Sequence, residues 1–258
     1  MFIYTIAVST SVRAGVAAKP RANLKTEPVI EQELEGLPEP AARYLRSAIP
    51  ADSSLPAGVR LSMEGTIRIG AKWLPFTAHQ TLEPLSRFRW QAEVRHRWMR
   101  ITGHDLYEGG RGEMDWRAWG FLPILKASGP DIARSARGRC AGEAIYAPSA
   151  LLPRHGVAWR QVSERIVAAS LPIDGAIEEL FLEVDQAGRL WSAWLSRWGN
   201  PDSDKQWRLQ PFGVVIEEMG EFNGYRIPSQ VRAGWWFGED RFEKGEFFRA
   251  RILSADYF

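Results

Sequence analysis

The stretch VRLSMEGTIRIGAKWLPFTAHQTLEPLSRFRWQAEV, residues 59–94, decides the fold. In its first part Val59, Leu61, Met63, Ile67 and Ile69 alternate with Arg60, Ser62, Glu64, Thr66 and Arg68. Successive side chains on a strand point to opposite faces, so this spacing makes one face apolar and the other polar. Gly70–Lys72 turns the chain and Trp73–Leu82 returns it. In the last part Phe88, Trp90, Ala92 and Val94 alternate with Arg87, Arg89, Gln91 and Glu93. Aromatics on one face and charges on the other predict an antiparallel sheet with one wet side.

Working outward, the hairpin habit repeats. Trp98–Tyr107 and Arg111–Trp119 flank Gly109-Gly110, which suits a two-residue turn at positive φ. Further strands are predicted over 157–163, 165–172, 177–184, 190–198, 206–209, 214–222, 226–237 and 245–257, about ten or eleven in all. Asp174-Gly175 and Asn223-Gly224 supply turns between them, the second being the strongest hairpin signal in the chain. Pro228 predicts an edge or a bulge in its strand, because proline cannot donate to a ladder.

Two segments break the pattern. LPEPAARYLRSAIP, 37–50, carries Ala41, Tyr44, Leu45 and Ala48 at helical spacing between Pro40 and Pro50. The stretch 121–155 is poorest in strand residues and predicts a helical insertion packed against the sheet. Ser128 or Asp131 is its expected cap, Pro130 its first turn, and Ile132, Ala136, Cys140, Ala144 and Ile145 its apolar stripe. Arg134 and Arg137 are expected outside, with a second short turn over Ser149–Leu152. A meander this wide must curl, split or close. The expected fold is therefore mainly β: a large curved antiparallel sheet or half-barrel meander, with one N-terminal helix and a central helical segment on the concave face. Its expected extent is a single domain over 37–258, after an N-terminal segment 1–36.

Composition bounds the function. Among 258 residues the net charge is +2, which gives no bulk electrostatic reason to bind nucleic acid. Cys140 is the only cysteine, so an internal disulfide and a multi-cysteine zinc site are excluded. His79, His96, His104 and His155 show no metal-ligand spacing, and no loop has the glycine pattern that cradles phosphates. No metal or cofactor is implied. No run of 18 apolar residues exists, so no transmembrane helix is predicted. The apolar run Phe2–Val8 is short and lacks a basic flank, a poor signal peptide, which favours the cytoplasm. Oligomeric state is left open.

Three segments carry a resemblance. LPEPAARYLRSAIP (37–50), GEMDWRAWGFLPILKASGPDIARSARGRCAGEAIYAPSALLP (112–153) and EFNGYRIPSQVRAGW (221–235) resemble a bacterial domain family of unknown function. At a looser level the order of elements is similar to the LolA-like group of outer-membrane lipoprotein carriers. In that group helices line or plug a concave apolar sheet and acyl chains bind inside, so the resemblance implies handling of a hydrophobic ligand. The chain departs from the group in lacking a clear export signal.

The residues themselves point the same way. The chain holds 12 Trp, 12 Phe and 6 Tyr, which suit either a solid core or the wall of an apolar cavity. The expected function is non-enzymatic binding of a lipid or other hydrophobic ligand in an aromatic-lined cavity. Trp90, Trp98, Trp116, Phe121 and Tyr146 are the expected ligand-binding residues, with 121–153 as lid or plug. Trp191 and Trp194, an odd number apart, are expected on opposite faces, as are Trp235 and Trp236. The arginines Arg87, Arg89, Arg95, Arg97 and Arg100, interleaved with Phe88, Trp90 and Trp98, read as a solvated face. Counting back from Gly109-Gly110 sets His104 opposite Asp115, an alternative acid–base pair for a small hydrolase or isomerase. A third alternative is an interaction scaffold using a sheet edge near Pro228.

Overall fold

A computed structural model describes residues 29–53, 55–202 and 204–258. Helices α1 (Val29–Leu34) and α2 (Glu39–Ala48) come first. A meander follows: β1 (Val59–Ile69), β2 (Lys72–Glu83), β3 (Arg87–His96), β4 (Met99–Glu108), β5 (Arg111–Ala118) and β6 (Leu122–Ser128). Helix α3 (Pro130–Gly142) continues into three short 3-10 turns, Glu143–Tyr146, Pro148–Leu151 and Pro153–His155. The second meander runs β7 (Ala158–Gln161), β8 (Ile166–Ile173), β9 (Ala176–Val184), β10 (Leu190–Gly199), β11 (Arg208–Phe222) and β12 (Tyr225–Trp235). Short helix α4 (Phe242–Gly245) precedes the last strand, β13 (Glu246–Tyr257).

All thirteen strands form one antiparallel sheet, in the order β6-β5-β4-β3-β2-β1-β13-β12-β11-β10-β9-β8-β7. The two meanders are fused by the first and last strands: Val59 faces Tyr257 and Ile67 faces Phe248. The chain therefore leaves the sheet at β6, one edge, and re-enters at β7, the other. The segment between them crosses the concave face.

The turns form as their residues require. Asn223 and Gly224 take φ of 50° and 82°, the doubly positive geometry that matches the twist of a hairpin. Helix α2 starts with proline in its first turn and ends at Ile49, held extended ahead of Pro50. Its buried face is Ala41, Tyr44, Leu45 and Ala48. It packs with the 3-10 turn at Pro148–Leu151 against β8, β9 and β12. Val167, Ala169, Leu171, Leu180, Leu182 and Val184 are fully buried on the second meander.

Several expectations are corrected. Part of the expected N-terminal segment is helix α1; residues 1–28, including the apolar run, lie outside the described residues. The helical insertion starts later than 121, because Leu122–Ser128 is edge strand β6, paired to β5. Its apolar residues do not alternate with burial: on this edge strand Leu122, Ile124 and Leu125 are all exposed. Neither Ser128 nor Asp131 caps α3; Gly129 leads in at φ 110° and no side chain caps the helix. Pro228 lies in the interior of the sheet, at an irregularity of the β11–β12 ladder, so the bulge is present and the edge is not. Strand β13 pairs with β12 only over Gln230–Gly234, beyond the proline. The edge scaffold near Pro228 falls with this placement.

Helix α3 lies close to β5. A Cβ on Gly112 would sit 2.7 Å from Ala133 Cα and 2.8 Å from the Ile132 carbonyl oxygen. Backbone atoms cannot yield as a side-chain tip can, so the helix itself must lift. Gly112→Ala is expected to lower stability by about 1–3 kcal/mol in urea denaturation. An unchanged midpoint would show that α3 does not rest on β5 in this way.

Candidate functional site

Between the crossing segment and the sheet lies a cavity of about 490 Å³. Its floor includes Met63 of β1, Phe88 and Trp90 of β3, Phe212 and Val214 of β11 and Phe248 of β13. Ile132, Ala136 and Arg139 of α3 form its roof, with Ile145 and Tyr146 from the following turn. Strand register explains the floor. Trp90 faces Asp105, and Ala92 faces Gly103, so these side chains share the inner face. Gly103 in turn faces Trp116, and a Cβ there would come within 2.4 Å of the Trp116 ring. The missing side chain lets Trp116 fold inward against Trp90, with ring centroids 5.6 Å apart. Phe76 meets Trp90 at 5.8 Å and Phe248 at 5.2 Å, extending an aromatic wall.

One polar strip crosses this apolar interior. Arg139 donates from Nη1 to Asp105 Oδ2 at 2.9 Å and from Nε to Glu143 Oε1 at 2.7 Å. Trp116 Nε1 donates to Asp105 Oδ1 at 2.9 Å, and Gln80 Nε2 to Glu143 Oε2 at 2.6 Å. The guanidinium also lies over the Phe88 ring, 4.6 Å from its centroid. Burial alone would depress the Arg139 pKa; Glu143 and Asp105 outweigh it and hold the group above its ordinary value. Each charge of this strip thus has a partner, as burial demands. A second guanidinium, Arg197 of β10, lines the cavity with its Nε donating to the Ser135 carbonyl at 3.0 Å. The Trp90 indole N–H is buried without a partner among the described residues.

The expected site residues separate into two groups. Trp90 and Tyr146 line the cavity, and Trp116 packs behind Trp90 while tethering Asp105. Trp98 and Phe121 do not reach it. They are 78% and 73% exposed and stack with Trp119 at the ends of the β3–β4 and β5–β6 turns. These turns project past the part of the sheet that α3 covers, so strand parity no longer buries their rings. Trp235 lines the cavity; Trp236 lies just past the end of β12, where φ is 60° and alternation stops, and carries Arg241 over its ring. Trp191 and Trp194 do not split between faces as expected. The register slips between Leu190 and Ser192, which turns Trp191 outward to hydrogen-bond Asp185. Trp194 stacks outside with Phe181 and Phe237.

His104 and Asp115 are opposite one another, as counted from the turn, but on the face away from α3. Asp115 is bound at both oxygens by Arg117, at 2.9 and 3.0 Å, and this hydrogen bonding lowers its pKa. The carboxylate nearest His104 is Glu113, at 3.5 Å. The two residues border an open hollow of about 580 Å³ with Gln91, Arg100 and Arg117. A larger hollow, about 790 Å³, lies on the same outer face among Glu93, Arg95, Glu217 and Arg232. Both are more open than the cavity under α3 and are bordered by charged, polar and backbone groups of the outer face. Among the described residues no group of three or more His, Cys, Asp or Glu is placed to hold a metal, and no helix is long and apolar enough to cross a membrane.

Sequence reasoning missed Asp105, Arg139, Glu143 and Arg197. Arg139 and Glu143 stand four apart on a helical pattern, the spacing of a same-face ion pair. Asp105 shares inner parity with Tyr107, so an inward carboxylate was legible as an anomaly on an apolar face.

Residues 27–247 match a family described as of unknown function, DUF6544. The chain belongs to the DUF6544 family. No curated protein matches it. Among solved structures it is similar to a DUF1329 family protein from Desulfovibrio piger ATCC 29098, at 11% identity and a TM-score of 0.44, covering 90% of this chain and 94% of that one. It is also similar to a LolA superfamily protein from Nitrosomonas europaea, at 9% identity and a TM-score of 0.44, covering 85% and 92%.

In this DUF6544 protein the ion network should hold α3 to the sheet. Arg139→Leu strands two buried carboxylates and is expected to cost about 3–5 kcal/mol, measured by urea denaturation. A loss below about 1 kcal/mol would mean the network carries no weight. Cys140, one residue on, is fully buried, and burial pushes its thiol up to about 12. The native thiol is expected to resist a disulfide reagent at pH 8 and to react on unfolding. Rapid labelling of native protein would show α3 standing open.

Proposed function

We propose that this protein binds one elongated hydrophobic molecule, such as a lipid acyl chain, in the cavity beneath α3, without chemical turnover. The observation that carries this reading is the hollow itself. Close-packed interiors leave few voids larger than a water molecule. A space of about 490 Å³ walled by aromatic and aliphatic side chains is in the range of ligand sites and far above packing defects. Its polar groups are few beside its rings and aliphatic side chains, and they would orient a ligand while the rings accept its chain.

Trp90 and Tyr146 are the proposed contacts, with Trp116 setting the Trp90 ring in place. Trp98 and Phe121 are left out of the proposed site by their exposure. Helix α3 and the turn after it act as the plug over the cavity. Binding is favoured because each buried methylene contributes about 0.8 kcal/mol.

Delipidated protein titrated with a fluorescent fatty acid should show saturable binding near one equivalent. Val214 is half-buried on the cavity floor, and Val214→Trp fills the space from a strand that needs no rearrangement. It is expected to weaken binding at least tenfold, about 1.4 kcal/mol, while thermal stability stays within a few degrees. Trp98→Ser with Phe121→Ser should leave the affinity unchanged. Absence of saturable binding, or equal affinity in Val214→Trp, would overturn the reading.

A further inference from the structure

We infer that the bound molecule is an anionic amphiphile whose carboxylate or phosphate pairs with Arg197. The inference rests on the acyl-binding reading above and adds the chemistry of the head group. The charges around the cavity differ in how they are satisfied. Arg139 is held by Asp105 and Glu143 at 2.9 and 2.7 Å. Arg137 is held by Glu178 at 2.7 Å. Asp131 accepts the Trp198 indole N–H at 2.8 Å. Arg197 has no carboxylate within 4.0 Å among the described residues, although Asp105, Glu143 and Glu178 lie close enough to favour its charge.

Its position is built. The Nε group is fixed by the Ser135 carbonyl at 3.0 Å. The guanidinium lies over the Phe212 ring at 4.6 Å and near Trp235 at 5.2 Å. Gly138 of α3 makes room for the stem, since a Cβ there would sit 3.1 Å from Arg197 Cγ. Opposite it on β11, Gln210 is turned away to Asp202. The terminal nitrogens are thus held in place on the cavity wall with no acceptor assigned. Burial, and after it the neighbouring Arg139, lowers the pKa to about 10, so the group is still a cation at neutral pH. The part-buried guanidinium opens on the cavity without a carboxylate partner, and a ligand carboxylate or phosphate would supply one. A planar guanidinium presents paired donors that fit either group. The anion would sit at the Arg197 end, leaving the apolar tail to run along the floor toward Phe248 and Trp90.

The test compares probes that share a sixteen-carbon tail and differ in the head: hexadecanoate, hexadecyl phosphate and hexadecanol, with acetate and inorganic phosphate as heads alone. Affinities are read by displacement of a neutral fluorescent lipid from delipidated full-length protein. Both anionic probes should bind wild type at least tenfold more tightly than hexadecanol. Acetate and phosphate should not displace the reporter below millimolar concentration. In Arg197→Gln the ratio of anionic to hexadecanol affinity should fall to about one, with circular dichroism and melting temperature showing that the variant is folded. Equal affinity of hexadecanoate and hexadecanol for wild type would overturn the inference and leave acyl binding standing; this arm needs no variant. Preference retained in Arg197→Gln would overturn it too. Displacement by phosphate alone at low concentration would mean an ion site without an amphiphile. Failure of every tailed probe would remove the acyl-binding reading and the inference together.

Discussion

The chain must cross its own sheet. Strands β6 and β7 are consecutive in sequence and stand at opposite edges of the same thirteen-stranded layer. A connection between two edges has to pass over one face, and the curvature of the sheet makes the concave face the shorter and drier path. Residues 129–157 make that passage as a helix and a series of 3-10 turns, which satisfy their own backbone groups while leaving the ladder. The crossing segment is narrower than the sheet beneath it. Alpha-helix α2 and the turns fill the second meander's share of the concavity, and the remainder stays hollow.

Holding a helix over a hollow requires something other than close packing. On one side α3 meets β5 backbone to backbone at Gly112. On the other its Arg139 reaches down to Asp105 of β4 and along to Glu143. A buried ion pair of this kind adds little net stability over an apolar contact, but it fixes a single position, because any slip leaves a charge unpaired. Rings and guanidinium groups meet at two places along the cavity, Arg139 over Phe88 and Trp90 and Arg197 over Phe212 and Trp235.

The outer face follows different rules. There arginines and carboxylates pair across strands, as in Arg87 with Glu108 and Arg160 with Glu179. Such exposed pairs contribute about 0–1 kcal/mol each and serve mainly to keep the sheet wet on that side. His104 and Asp115 belong to this lattice. Two aromatic groups interrupt it: Trp194 stacked with Phe181 and Phe237, and the more exposed Trp98, Trp119 and Phe121 where two turns project together.

Period-two alternation and glycine turns determined the strands, their inner and outer residues, and the hairpins, because both are local properties of a few neighbouring residues. Trp90 and Trp116 were legible on that basis as inward rings, and Tyr146 through its place in the helical segment laid against the sheet. What local pattern could not carry was decided by contacts distant in sequence. The pairing of β1 with β13 set which strands became edges, so Leu122–Ser128 turned out extended and Pro228 interior. A single register slip at Leu190 reversed the side of Trp191. How far α3 extends over the sheet left Trp98 and Phe121 outside. The unpaired state of Arg197 depends on which carboxylates its neighbours had already engaged, a property of three-dimensional charge placement that no stretch of sequence displays.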